Sequence, residues 1–169
     1  MSLNPFYLAL GTTIAGFACY KIYQHLSFDN VDSIMSRLMT IVIKSADVNV
    51  IAACRKFNTT IRSYMSEINS LIDFCNEGKY NTSVLKAHGE ILEKYLKEIS
   101  DATNTLMAQI KDNDLLANIQ NLSNLITTDL NAIILYVKYC TENLNSDVLG
   151  KLRDQLNSHL NNIRKSKLQ

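Results

Sequence analysis

Apolar residues recur every three or four positions through most of this chain, the spacing that gathers them on one face of an α-helix. A first stripe holds Val31, Ile34, Leu38 and Ile41. A second runs through Val50, Cys54, Phe57, Ile61, Tyr64, Ile68, Leu71 and Cys75 in a sustained heptad rhythm. The second register is offset by two residues, which would turn the stripe by about 200° on one straight helix. A break near residues 45–47 therefore separates two helices. A third stripe holds Leu85, His88, Leu92, Tyr95, Ile99, Ala102 and Leu106. A fourth runs Leu115, Ile119, Leu122, Ile126, Leu130, Ile133, Val137, Cys140 and Leu144, and consecutive four-residue steps into Leu130 form a stutter. The last holds Leu149, Leu152, Leu156, Leu160 and Ile163.

Polar punctuation between the stripes agrees with this division. Asp29 or Asn30 can cap the first helix, and Asn81 or Thr82 the third. Gly78 suits the left-handed position that ends a helix. Lys111–Asp114 and Asn145–Asp147 read as turns with capping residues. The sequence predicts helices at about 30–44, 48–77, 82–111, 114–144 and 147–165. Connections this short force neighbouring helices to run antiparallel. The fold class is all-α: an antiparallel up-down bundle of four to five helices over residues 28–169, with one elongated coiled coil as the alternative. Glu90–Lys94 and Glu93–Lys97 have the spacing of ion pairs along the third helix.

Residues 1–27 are different. Met1 to Tyr20 contains no charged side chain, and Pro5 to Tyr23 is about long enough to cross the hydrocarbon core of a bilayer. This stretch reads as an N-terminal single transmembrane, or hydrophobic anchor, helix. Phe6, Leu8, Leu10, Ile14, Phe17 and Tyr20 would face lipid, and Gly11, Ala15 and Cys19 would form a small-residue ridge for helix packing. Two other readings compete. One is a cleaved signal peptide, suggested by the small-x-small step Gly16-Phe17-Ala18, with secretion as the consequence. The other is an ordinary core helix. Lys21, Arg37 and Lys44 follow the segment and no Lys or Arg precedes it. The positive-inside rule then puts the N-terminus outside or in a lumen and the bundle in the cytosol of a single-pass protein.

Charge narrows the partners. Seventeen Lys and Arg against sixteen Asp and Glu give a net charge of +1, and the tyrosines lack interleaved basic residues, so nucleic acid is not expected as a partner. The C-terminal stretch is locally basic. Arg164, Lys165 and Lys167 could meet an anionic lipid surface or simply offset the helix dipole. The chain has eighteen Asn, a bias that reads as a property of the source and not of the fold.

Candidate chemistry is sparse. Cys19, Cys54, Cys75 and Cys140 form no C-x-x-C motif and read as free, buried thiols. Cys75 could bridge Cys140 only if their helix ends meet. His25, His88 and His159 have no second ligand at helical spacing, so neither a metal nor another cofactor is expected. His88 reads as a half-buried core residue, and Tyr64 and Tyr95 as core residues with their hydroxyls at the rim. Asp129, at the stutter, reads as an exposed residue, with a buried register device as the alternative. Without an acid, a base and a nucleophile in one pattern, the chain is expected not to be an enzyme. The expectation is a membrane-anchored tether, scaffold or membrane-complex subunit that contacts a protein partner, or itself, through coiled-coil or groove surfaces. Its alternatives are a pore-forming, holin-like protein and a soluble carrier of an apolar ligand.

Overall fold

A computed structural model describes residues 30–165. The sequence of elements is α1 (Val31–Lys44), α2 (Val48–Glu77), α3 (Thr82–Met107), α4 (Asn113–Glu142) and α5 (Ser146–Arg164). No strand occurs among the described residues. The protein is thus an all-α bundle of five helices over this range. The anchor residues Phe6 to Tyr20, the ridge Gly11, Ala15 and Cys19, and Lys167 lie outside the described residues.

Local chemistry fixes the boundaries. Each helix begins on an Asn or Asp whose side-chain oxygen accepts from a backbone amide of the first turn. Asn30 takes Ser33, Asp47 takes Asn49 and Val50, Asn81 takes Val84, Asp112 takes Leu115, and Asn145 takes Asp147 and Val148. Each cap satisfies amides that the helix itself leaves open and contributes about 1 kcal/mol. Three of the abundant asparagines therefore serve the fold directly. Gly78 ends α2 with φ of 66°, where a side chain would be strained even though the space around it is open. The break at residues 45–47 falls where the change of register requires it. The other boundaries agree within one or two residues, and the largest difference is in α3, which stops at Met107, four residues short of the expected 111. Beyond it the Gln109 amide turns back to the Leu106 carbonyl, and Ile110 swings into the core while the chain reverses.

The core is one contiguous cluster running the length of the bundle. α2 packs on α3 and α5, α4 packs on α3 and α5, and α2 faces α4 across the diagonal with no backbone approach. At Gly89 α3 lies so close to α4 that an added Cβ would sit 3.1 Å from Val137 Cγ1. The expected Glu93–Lys97 pair gives way to a bond across this interface, Glu93 to Lys138 at 2.8 Å.

The fourth corner of the bundle is built from two pieces. α2 and α4 each have 30 residues, but α5 has only 19. Where α5 ends, α1 begins: the Asn30 side-chain amide donates to the Arg164 carbonyl at 3.2 Å. α1, like α5, packs on α2 and α4. It covers the first part of α2, where Asn58 Nδ2 donates to the Met35 carbonyl at 3.3 Å. Arg37 ties it to the start of α4 through Asp114 at 3.0 Å and Asp112 at 3.3 Å. The amide of Leu115, with Arg37 beside it, holds the Asp112 carboxyl below its usual range. Val31, Ile34 and Leu38 are completely buried along this seam.

This arrangement predicts a tolerated rearrangement of the chain. A circular permutant of residues 30–165, with Lys165 joined to Asn30 by a short Gly-Ser linker and new ends opened at Lys79–Tyr80, keeps its helical circular dichroism and one cooperative melting transition. Loss of that single transition would show that α1 and α5 do not share a corner.

Candidate functional site

Two histidine–carboxylate pairs bridge the helices. On α5, His159 is 2% exposed. Its Nδ1 lies 2.8 Å from Asp129 Oδ2 on α4, and its Nε2 lies 2.5 Å from the hydroxyl of Tyr64 on α2. Burial first, and the Asp129 carboxylate second, push the Tyr64 phenol well above its usual range. The hydroxyl therefore keeps its proton and donates it to Nε2. The ring then carries its hydrogen on Nδ1 and donates to Asp129, a tautomer assigned from the network. One chain of hydrogen bonds thus crosses three helices at a single level. Tyr95 of α3 closes the level from the fourth side, its ring edge-on to Tyr64 at 5.6 Å.

The second pair joins α2 to α3. His88 Nδ1 lies 2.6 Å from Glu67 Oε1, with Phe74 packed against the imidazole at 5.7 Å. A smaller polar contact, Thr103 Oγ1 to Ser123 Oγ at 3.1 Å, joins α3 to α4. The amide of Asn58 is buried beneath α1 with Oδ1 unpartnered.

Several expectations change here. Asp129 is turned inward as the partner of His159; the stutter broadens the buried face of α4 and draws it into the bundle beside Leu130. Tyr64 buries its hydroxyl instead of leaving it at the rim, because His159 supplies an acceptor there. His88 is half-buried, as expected, although its Glu67 partner on the neighbouring helix leaves no trace in a count along one stripe. His159 received no site role from its own helix, since both partners come from elsewhere. The stutter next to an Asp was the one signal that could have found this network.

Tyr64 is wholly buried and His159 nearly so, so the two ring groups are closed off from solvent. Among the described residues no group of three His, Cys, Asp or Glu is placed to hold a metal ion.

The described cysteines, Cys54, Cys75 and Cys140, are free and buried. Cys75 and Cys140 stand near the ends of α2 and α4, on the diagonal where the backbones stay more than 8 Å apart. A disulfide does not fit across that gap. The Cys140 thiol donates weakly to the Val148 carbonyl at 3.7 Å. Burial is the first cause that pushes the Cys75 thiol up to about 11 and the Cys140 thiol up to about 12.

Outside the core, the outer faces of α1 and α2 form an open groove of about 570 Å³. α1 lines it from Asp32 to Ile43 and α2 from Arg62 to Asn69, with Met35, Met39 and Met65 among the lining residues. Its Ile43 end forms an apolar corner with Val48, where Ile43 is 80% and Val48 75% exposed. Arg164 and Lys165 are exposed at the end of α5, beside the point where Asn30 enters α1. No helix among the described residues is long and apolar enough to cross a membrane. Comparisons of the chain with protein-family models, with curated proteins and with solved structures find no match.

Two outcomes follow. Tyr64→Phe costs about 1–3 kcal/mol by leaving His159 Nε2 without its donor. His159→Leu costs about 2–5 kcal/mol by stranding the phenol and Asp129. The double variant costs at least about 1 kcal/mol less than the sum, measured by urea unfolding, because each change removes the same bond. Simple additivity would show that the network is not coupled.

The thiols give a pH dependence. Their raised folded values mean that the native state holds its protons more tightly than the unfolded chain. The stabilisation is full below the ordinary thiol value of 9.0 and is lost as pH rises through about 11 and 12. The urea midpoint therefore falls between pH 8.5 and about 11, and less so in a Cys75→Ala/Cys140→Ala variant.

Proposed function

We propose that this protein is a non-enzymatic, membrane-anchored helical bundle that serves as a tether, scaffold or membrane-complex subunit. One observation supports the reading: the Asn30–Arg164 hydrogen bond brings the start of α1, ten residues after the uncharged stretch ends in sequence, beside the basic end of α5. In sequence these features stand more than a hundred residues apart, and each alone has a bland explanation. Together they support one membrane-facing spot, with Arg164 and Lys165 to meet anionic headgroups close to where the chain leads back to its apolar segment. Basic residues near such a surface contribute about 1 kcal/mol each. In this reading the N-terminus lies outside or in a lumen and the bundle in the cytosol.

The bundle's contribution is a rigid surface. Its apolar stripes are consumed by its own core, so a protein partner is met by what remains outside. The Ile43–Val48 corner is the best-exposed apolar feature of that surface and suits docking against another protein or a second copy.

The test uses the full chain. It stays with membranes through alkaline carbonate, and Leu10→Lys/Ile14→Lys releases it, because each Lys at the centre of a span costs about 2.5–3.5 kcal/mol. Release of the unaltered chain by carbonate would defeat the integral-anchor reading. Arg164→Glu/Lys165→Glu weakens binding to phosphatidylglycerol vesicles while leaving carbonate resistance intact.

A further inference from the structure

An apolar segment made in water needs cover until it reaches a bilayer. We propose that the α1–α2 groove is the seat of residues 5–23 of this same chain before membrane insertion. The inference rests on the anchor reading for the fate of the segment, but the seat itself is separable from it.

Position is the first argument. The chain enters α1 at Asn30, and the groove passes the start of that helix. α1 lines it on one side of this point, from Asp32 to Ile43, and α2 carries it onward to Asn69. Residues 24–30 are sufficient for a reversal, which lays the segment antiparallel to α1 as a helical hairpin. Tyr23 then falls near Asn69, and Pro5 near Ile43.

Length is the second. From Ile43 back to Asp32 is about 16 Å of helix, and from Arg62 to Asn69 about 10 Å more. A 19-residue helix is about 28 Å long. The groove and the segment match end to end.

Chemistry is the third. Three methionines in the lining adapt to an irregular apolar partner. The remaining lining includes Ser36, Thr40, Ser66 and Asn69, neutral groups that a segment without charges can approach without stranding an ion. Thr12 and Thr13 supply hydroxyls to meet them, and Gly11, Ala15 and Cys19 allow the close approach that a shallow groove demands. Asp32 and Arg62 are the charged members of the lining, and both are solvent-exposed.

Crosslinking tests the seat. The full chain carrying Ser66→Cys is made by cell-free translation without membranes and treated with a short bismaleimide. Ser66 is exposed, and the native Cys19 is its intended partner; Cys54, Cys75 and Cys140 are buried and react poorly. The expected result is an intramolecular link between residues 19 and 66. Asn157→Cys, on the exposed side of α5, gives no such link. Met39→Lys/Ile43→Lys, at two exposed positions, lowers the yield at least fivefold without altering the helical circular dichroism. Absence of the 19–66 link, or links only between separate copies, overturns the proposal. Translation with vesicles of phosphatidylcholine and phosphatidylglycerol separates the two readings. Loss of the link there supports transfer from groove to bilayer. A link that persists undiminished supports the seat and defeats the anchor.

Discussion

Two 30-residue helices with apolar faces along their whole length need cover of equal length. α3 nearly supplies it on one side of α2 and α4. On the other side α5 runs out after 19 residues, and about a third of each long face would meet water. Burying apolar area is worth about 25 cal/mol per Å², so leaving Leu38's or Phe57's neighbours uncovered would cost several kcal/mol. α1 resolves the shortage by taking the vacant part of the corner. Most other features follow from this: the Asn30–Arg164 bond at the joint and the Arg37 pairs to the head of α4.

The histidine network answers a different need. Leucine and isoleucine stripes specify that helices pack, but they tolerate sliding by a turn. A line of hydrogen bonds from Tyr64 through His159 to Asp129 tolerates no such slip, because a shift of one turn would separate the partners by about 5.4 Å. It also sits on the helix that is held along only part of its neighbours. Buried polar groups of this kind add little to stability when satisfied and cost much when parted, which makes them register marks more than glue.

Local structure was legible in the sequence because its causes are local. The Asn and Asp caps, the left-handed Gly78 and the register jump at residues 45–47 each act within a few residues. What joins helices was not legible in the same way. Asp129 looked exposed because a stripe count admits only apolar residues, and His159 looked idle because its partners lie 30 and 95 positions away. The shared corner had a trace in the helix lengths, 14 and 19 against 30. Reading it would have required knowing which ends meet. The proposed membrane-facing spot rests on the same long-range fact.

The joint also decides how the molecule would respond to a pull. A bundle tethered at the tip of a helix transmits tension along its axis, where many contacts must shear at once. Here residue 30 lies midway along one flank, at the start of a 14-residue helix that packs on α2 and α4. Tension drawn through residue 30 would lift α1 away from that end, contact by contact, while the four longer helices stayed locked. The mechanically weak element is then the short helix nearest the attachment, and a modest force would expose the seam holding Val31, Ile34 and Leu38 before anything else gave way.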